Sequence, residues 1–276
     1  MKDLLEFIVN NRFEYSPISA LEILRQNPKA KFIRSYSFWY KAGYSVKTDA
    51  VSINVPLPQS DFSFMRNGVL VSLANVTDSE KQYIIENNVK LQSTIKYNSY
   101  PMFNIKDTDC SLSAIKFRVP KDINLKCFAL LRKLNISIVQ APIFAMHLSP
   151  YYNGKNIVID EAAQEMQQIS QILASLCEYI TVKTTDTNVD EQIEIMRFFL
   201  SRIVNKDIFT KEAAYFEQLD INNIFSCITK AVKATMFLLQ ELNVNINIAA
   251  FENLDNQIQT QDTPFKNRKR KGAIKK

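Results

Sequence analysis

The most informative part of the chain for its fold is residues 31–55, which read KFIRSYSFWYKAGYSVKTDAVSINV. Aromatic and β-branched residues dominate this stretch, and both types are typical of strands. We therefore predict two strands, over residues 31–40 and 44–55, with a hairpin turn at Ala42 and Gly43.

The same stretch is rich in cations and rings. Residues 25–47 contain six basic and six aromatic side chains and no acid. Single-stranded nucleic acid offers phosphates to cations and unstacked bases to ring faces, so a binding groove needs both residue types interleaved. A plainer interpretation is a hydrophobic strand pair with a solvated lysine edge, because aromatic-rich strands are common for packing reasons alone.

On either side of this stretch, the sequence predicts a body with both helices and strands. A helix over residues 3–9 precedes a second one, which Ser16 caps, Pro17 begins and Pro28 ends. Pro56 and Pro58 are expected to end the second strand and to open a loop over residues 59–67. Further strands are predicted over residues 68–73, 89–97 and 112–119, with a helix over residues 78–87 between the first two of them.

Three strands, a helix and two strands form the element order of an OB-fold, a small barrel that often binds single strands. The predicted fold class is therefore α+β, with an OB-like β-barrel or at least a β-rich N-terminal body. A basic helix over residues 122–134 and short strands over 136–140 and 156–159 would extend or flank the barrel.

From Asp160 onward, apolar residues recur every three or four positions, which predicts an α-helical C-terminal region. The stripes are typical of a helical bundle core, and coiled-coil association is the alternative. We predict three parts: a basic β-rich nucleic-acid-binding domain over residues 1–155, an acidic helical domain over 156–255, and a disordered basic tail over 256–276.

Charge divides the chain in the same way. Residues 1–155 carry 20 basic and 12 acidic side chains, residues 156–265 carry 7 and 16, and the last eleven residues carry 7 and none. This asymmetry predicts a polyanion partner for the basic part and self-association or another protein partner for the acidic region. The alternative is that the difference in net charge between the domains has no function.

Little in the sequence points to catalysis. The four cysteines are far apart and form no CxxC pair, and the lone His147 in an apolar run predicts a packed core residue. Asp107 and Asp109 could bind a metal in a nuclease, but they lie in a polar turn where Asp favours local hydrogen bonds. We predict no enzyme, no catalytic residue, no metal and no cofactor.

No apolar run approaches the length of a membrane span, so no membrane partner is expected.

The candidate nucleic-acid-binding residues are the cations and rings of the central stretch, together with three cations on the predicted fourth and fifth strands. They are Lys31, Arg34, Tyr36, Phe38, Trp39, Tyr40, Lys41, Tyr44, Lys47, Lys96, Lys116 and Arg118. A basic cluster in the tail matches a nuclear-localisation or nucleic-acid-binding patch and consists of Lys266, Arg268, Lys269, Arg270 and Lys271.

Three segments carry a resemblance to a known family: FWYKAGY at residues 38–44, VSINV at 51–55 and RKRK at 268–271. In these segments, and in size, composition and layout, the chain resembles the single-stranded DNA-binding proteins of large insect DNA viruses of the baculovirus type. The resemblance implies a protein of viral DNA replication in the host nucleus that coats and unwinds DNA without sequence preference. The rival hypothesis is a viral structural or nucleocapsid protein, in which the aromatic strands form subunit contacts and the tail alone touches the genome.

Overall fold

The computed structural model describes residues 1–115, 117, 119–184, 189–208, 215 and 221–246. The helices within these ranges are α1 Lys2–Asn10, α2 Pro17–Gln26, α3 Tyr36–Lys41, α4 Asp78–Glu86, α5 Ile123–Lys133, α6 Glu165–Thr184, α7 Val189–Val204 and α8 Ile221–Glu241. The strands are β1 Ile33–Ser35, β2 Ile53–Arg66, β3 Val69–Ser72, β4 Leu91–Asn104, β5 Ser137–Ala141, β6 Tyr151–Tyr152 and β7 Asn156–Asp160.

The strands form two open sheets. The first is antiparallel, with the order β1-β4-β2-β3, and the second has the order β5-β7-β6, with β5 and β7 parallel. The predicted α+β class and the helical C-terminal region are confirmed over the described residues. A closed OB-like barrel is not formed there, because residues 112–115 of the predicted fifth strand form a 3₁₀ turn and do not join the sheet.

The predicted hairpin at Ala42 and Gly43 is wrong. The Ser35 hydroxyl accepts a hydrogen bond from the backbone N–H of Phe38 at 3.2 Å and thereby caps the short helix α3. The aromatic residues 36–41 are therefore helical, and β2 begins only at Ile53. Gly43 follows the helix with a φ of 81°, a conformation that glycine adopts without strain.

The prediction that Pro56 and Pro58 end the second strand is also wrong, since β2 continues to Arg66. The Gln26 side chain of α2 pairs with the outer edge of β2, accepting from Asn54 N–H at 3.0 Å and donating to Asn54 C=O at 2.8 Å. Backbone groups alternate in direction along a strand, so the nitrogen of Pro56 also points away from β4. A proline that faces a strand's free edge removes no hydrogen bond of the ladder.

Beyond these prolines, β2 and β4 extend as a long two-stranded arm. Their register runs continuously from the Ile53–Met102 pair to the Phe64–Leu91 pair. Asn67 and Gly68, with φ of 49° and 79°, form the tight turn into β3. At the far end, Phe64, Val76 and Ile84 form a small apolar cluster under α4. The arm therefore has a core of its own at its tip and little cover along its middle.

The main apolar core joins the two ends of the chain. It contains Leu5 and Ile8 of α1 together with residues of α5, α6, α7 and α8. The rings of Phe13 and Phe199 meet edge to face at 5.1 Å. The basic and acidic parts thus share one core, and the boundary at residue 155 stays a prediction. The proposed tail, residues 256–276, lies outside the described residues.

Candidate nucleic-acid interface

Two tyrosines of α3 point into solvent one helical turn apart. The side chain of Tyr36 is 58% exposed and that of Tyr40 is 74% exposed. Residues four apart lie on one face of a helix, so the two rings are neighbours on the same surface. Lys41 follows directly and is exposed. The pair supplies adjacent ring faces beside a cation, which is the composition that stacking of single-stranded bases requires.

The other rings of the segment are buried. Phe38 and Trp39 pack with Phe32, Ile105 and Cys110 in a second apolar cluster. The Trp39 indole N–H donates to the backbone carbonyl of Phe103 at 3.2 Å. A ring with no exposed face cannot stack on a base, so Phe38 and Trp39, which the sequence predicts as binding residues, are core residues in this structure.

Arg34 is likewise placed inside. Its guanidinium lies 4.1 Å from the centre of the Phe32 ring and 2.5 Å from a carboxylate oxygen of Glu14. It also donates to the Asn11 side chain at 3.3 Å. A guanidinium engaged on these sides holds the aromatic cluster against α1, and it offers no surface to a phosphate.

The remaining predicted binding residues of the segment, two lysines and one tyrosine, differ in exposure. Lys47 is exposed, and its ammonium donates to the backbone carbonyl of Lys106 at 2.7 Å. Lys31 is partly buried, 3.9 Å from Glu6, on the side of the sheet that packs against α1. Tyr44 is partly buried, and its hydrogen bond with Cys110 raises the pKa of the phenol. Lys41 and Lys47 are therefore the cations of this segment best placed for phosphate.

The side of the arm that Tyr36 contacts carries further exposed apolar side chains toward the tip. Tyr36 contacts Phe103 edge to face at 6.2 Å between ring centres. Side chains alternate between the faces of a strand, so Phe103, Tyr97 and Ile95 lie on the same side of β4. Tyr97 is 67% exposed and Ile95 is 65% exposed. Phe62 of β2 lies on this face as well, because it pairs with Ser93.

The opposite face of the arm is polar. Lys96 forms a 2.5 Å ion pair with Asp61, and Asp61 also accepts from Ser72 at 2.9 Å. These contacts lower the pKa of Asp61, the bond from Lys96 having the largest effect. Lys96 thus lies on the face away from Tyr97, and the structure does not bring it together with the α3 tyrosines. Phe62 was missed from the sequence because residues 59–67 were predicted as a loop. Ile95 lies in the predicted strand 89–97, but it is neither a cation nor a ring and was not a candidate.

The other residues singled out in the sequence lie away from α3 or outside the described residues. Lys116 and Arg118 are outside the described residues, as is the basic cluster over residues 266–271. His147 is exposed with a φ of 56°, so the prediction of a packed core residue is wrong. The Asp109 carboxylate accepts a hydrogen bond from the backbone N–H of Ser45 at 3.0 Å, a contact between residues distant in sequence and not the local hydrogen bond that was predicted.

Charge is distributed unevenly over this surface. Residues 23–48, which carry α3, contain no acid, whereas residues 57–98 of the arm carry four basic and four acidic side chains. The segment that carries α3 is therefore the positively charged part of this surface, with Asp107 and Asp109 beside Lys47 and Ser45 at its end, and the arm carries no net charge.

Within the described ranges, none of the helices has the length and apolar character of a membrane span.

The sequence matches no protein-family model, and no curated protein matches it as a relative. Among solved structures, the fold is similar to that of the antirestriction ArdC protein of plasmid R388 in its metal-free form. That likeness has a TM-score of 0.51 and 14% identity, and it covers 84% of this chain and 86% of the other. The Mn(II)-bound form of the same protein gives a TM-score of 0.44 at 14% identity. At this identity the likeness concerns the fold alone.

Proposed function

We propose that this chain is a non-enzymatic, sequence-nonspecific single-stranded DNA-binding protein. The observation that carries the proposal is the exposed pair Tyr36 and Tyr40, one turn apart on α3, in a segment free of acids. Every base has a ring face, so stacking on tyrosine does not select sequence. Lys41 and Lys47 supply charge for the phosphates on the same segment.

Destabilisation of the DNA duplex follows from the same stacking contact. A base stacked on Tyr36 or Tyr40 has left the stack of its own duplex, so binding favours the separated strands. The exposed Tyr97 and Phe62 offer separate ring faces farther along the arm, where further nucleotides can lie. Within this proposal the protein acts in viral DNA replication, and the basic cluster over residues 266–271 directs it to the host nucleus.

The rival proposal is a structural or nucleocapsid protein. The burial of Phe38 and Trp39 supports it only by removing two rings from the stacking surface, since rings that pack within one chain contact neither nucleic acid nor another subunit. In that case the aromatic surface makes subunit contacts, and the seven basic residues of the tail hold the genome. Binding by a tail of this kind is electrostatic and does not prefer single strands.

The two proposals differ in what a tail deletion and a tyrosine substitution do. Fluorescence anisotropy of labelled oligo-dT and of duplex DNA compares the full chain, the chain ending at Thr263 and the double variant Tyr36→Ala/Tyr40→Ala. Tyr83→Ala is the matched control, since Tyr83 is 63% exposed on α4 at the tip of the arm.

The proposal predicts that the chain ending at Thr263 keeps its preference for oligo-dT, with a linear loss of log affinity against log salt. The double variant should lose about 1 to 3 kcal/mol for each base that it no longer stacks, and Tyr83→Ala should bind as the parent does. Loss of all binding with the tail, together with an unaffected double variant, would favour the nucleocapsid protein.

A further inference from the structure

The outer edge of β4 is open over most of its length. β4 pairs with β2 on one side from Leu91 to Met102, and with β1 on the other side only from Met102 to Asn104. Residues 91–101 are all exposed. Within the described part of the chain, this edge has no strand partner over residues 91–101.

The unpaired backbone groups can be assigned from Gln26. Its amide bonds both backbone groups of Asn54, so Asn54 and its partner Pro101 form a pair without hydrogen bonds between β2 and β4. By alternation, the odd-numbered residues of β4 turn their backbone groups outward. The free groups are the N–H and C=O of Leu91, Ser93, Ile95, Tyr97 and Ser99, a row of alternating donors and acceptors.

The usual safeguards against strand addition are weak here. Proteins protect exposed edges with short strands, prolines, bulges or charged side chains, especially lysine. This edge is long, its proline lies at one end at position 101, and its register with β2 is continuous without a bulge. Lys96 is the one cation of residues 91–101, and it is paired with Asp61.

We propose that the occupant is the β4 edge of a second copy of this chain, paired antiparallel about a two-fold axis. A row that alternates donors and acceptors is complementary to itself in this arrangement. The equal numbers of acidic and basic residues over positions 57–98 keep repulsion between two arms low. Pairing centred on Ile95 places Tyr97 opposite Ser93 of the other copy and Lys96 opposite Thr94, so the two lysines do not face each other.

Edge pairing leaves both faces of the arm free, including the one that carries Tyr97. It is therefore independent of the proposed DNA contact, and it differs from self-association through the acidic helices. Two copies would form one continuous sheet, and a single two-fold axis would relate their two α3 surfaces.

Sedimentation velocity of the full chain over a concentration series tests the pairing. The parent should form dimers, and Ser93→Pro should weaken them at least about tenfold, because the ring removes an outward donor and blocks the edge. Ser93→Ala keeps that donor and is the matched control. A parent that stays monomeric at its highest soluble concentration, or dimers that Ser93→Pro leaves intact, would overturn the proposal.

A cysteine at the two-fold axis provides a second measurement that does not depend on a proline. All four native cysteines are buried. In a hydrogen-bonded antiparallel pair, facing Cα atoms are about 5.5 Å apart, which suits a disulfide. Ile95→Cys should therefore form covalent dimers under mild oxidation, and Tyr83→Cys on the same arm should form few. Equal yields from the two variants, or none from Ile95→Cys, would contradict the register.

Discussion

The position of Trp39 distinguishes the two interpretations of the aromatic stretch, a nucleic-acid-binding surface and a hydrophobic core. Its neighbours Tyr36 and Tyr40 are exposed, whereas its own ring is enclosed by Phe32, Phe38 and Tyr44. In the sequence all these rings look equivalent. They are distinguished by the helical period of α3, which the strand prediction excluded.

Trp39→Ala should lower the free energy of unfolding by about 3 to 5 kcal/mol, because it leaves a cavity in the second apolar cluster. Urea denaturation followed by circular dichroism measures this loss. Trp39→Phe retains most of the packing and should leave affinity for oligo-dT unchanged. A drop in affinity in folded Trp39→Phe would mean that the indole reaches DNA after all.

The buried thiols give stability a dependence on pH. Desolvation raises the pKa of Cys127 and of Cys177 to about 12, and that of Cys227 to about 11, from an ordinary value near 9. Above about pH 9 the unfolded chain releases thiol protons that the folded chain keeps, so stability is lost as the pH rises.

We therefore expect the free energy of unfolding to fall between about pH 9 and pH 10, by up to about 1.4 kcal/mol per thiol for each pH unit. Urea denaturation at several pH values measures the slope, and Cys177→Ala should make it shallower. An identical slope in Cys177→Ala would show that its thiol makes no such contribution.

Among the helices and strands, features that depend on neighbouring residues were predictable from the sequence, whereas the hydrogen bonds at the edge of β2 were not. The cap at Ser16 and Pro17 is confirmed, and so is the helix after Thr77, where Thr77 and Glu80 form a capping box. These depend on residues within one turn of each other. The continuation of β2 through Pro56 depends on Gln26 of α2, 28 residues before Asn54, and no local pattern contains that contact.

Gln26→Ala should cost about 1 kcal/mol of stability, because it removes two hydrogen bonds from the edge of β2. Lys29→Ala, an exposed change just beyond the same helix, is the control and should be nearly neutral. Thermal unfolding of the two variants beside the parent measures the difference. Equal Tm values for the two variants would indicate that the Gln26 amide does not hold the edge.

On the scale of the whole molecule, charge divides the chain but packing joins it. The split between a basic and an acidic part was visible in the sequence, whereas the shared core was not, because it brings α1 against α7 across almost two hundred residues. Inside that core, Arg197 forms ion pairs with Glu178 at 2.6 Å and Glu194 at 3.0 Å. The pair with Glu178 joins α7 to α6 and depends on tertiary structure, whereas Glu194 lies three residues before Arg197 on the same helix.

A fragment of residues 1–155 should therefore fail to unfold cooperatively, since it exposes the faces of α1 and α5 that pack against the C-terminal helices. Calorimetry of this fragment beside the full chain checks the expectation. A sharp transition in the fragment would instead support an independent N-terminal domain.

The most direct test of the proposed function is photocrosslinking of the full chain to 4-thiothymidine-substituted oligo-dT, with the attachment site mapped by mass spectrometry. Cleavage after Arg34 and Lys41 releases residues 35–41, which contain Tyr36 and Tyr40 on a single peptide. We expect attachment at these two tyrosines, and its loss in Tyr36→Ala/Tyr40→Ala. Attachment confined to residues 266–276 would contradict it.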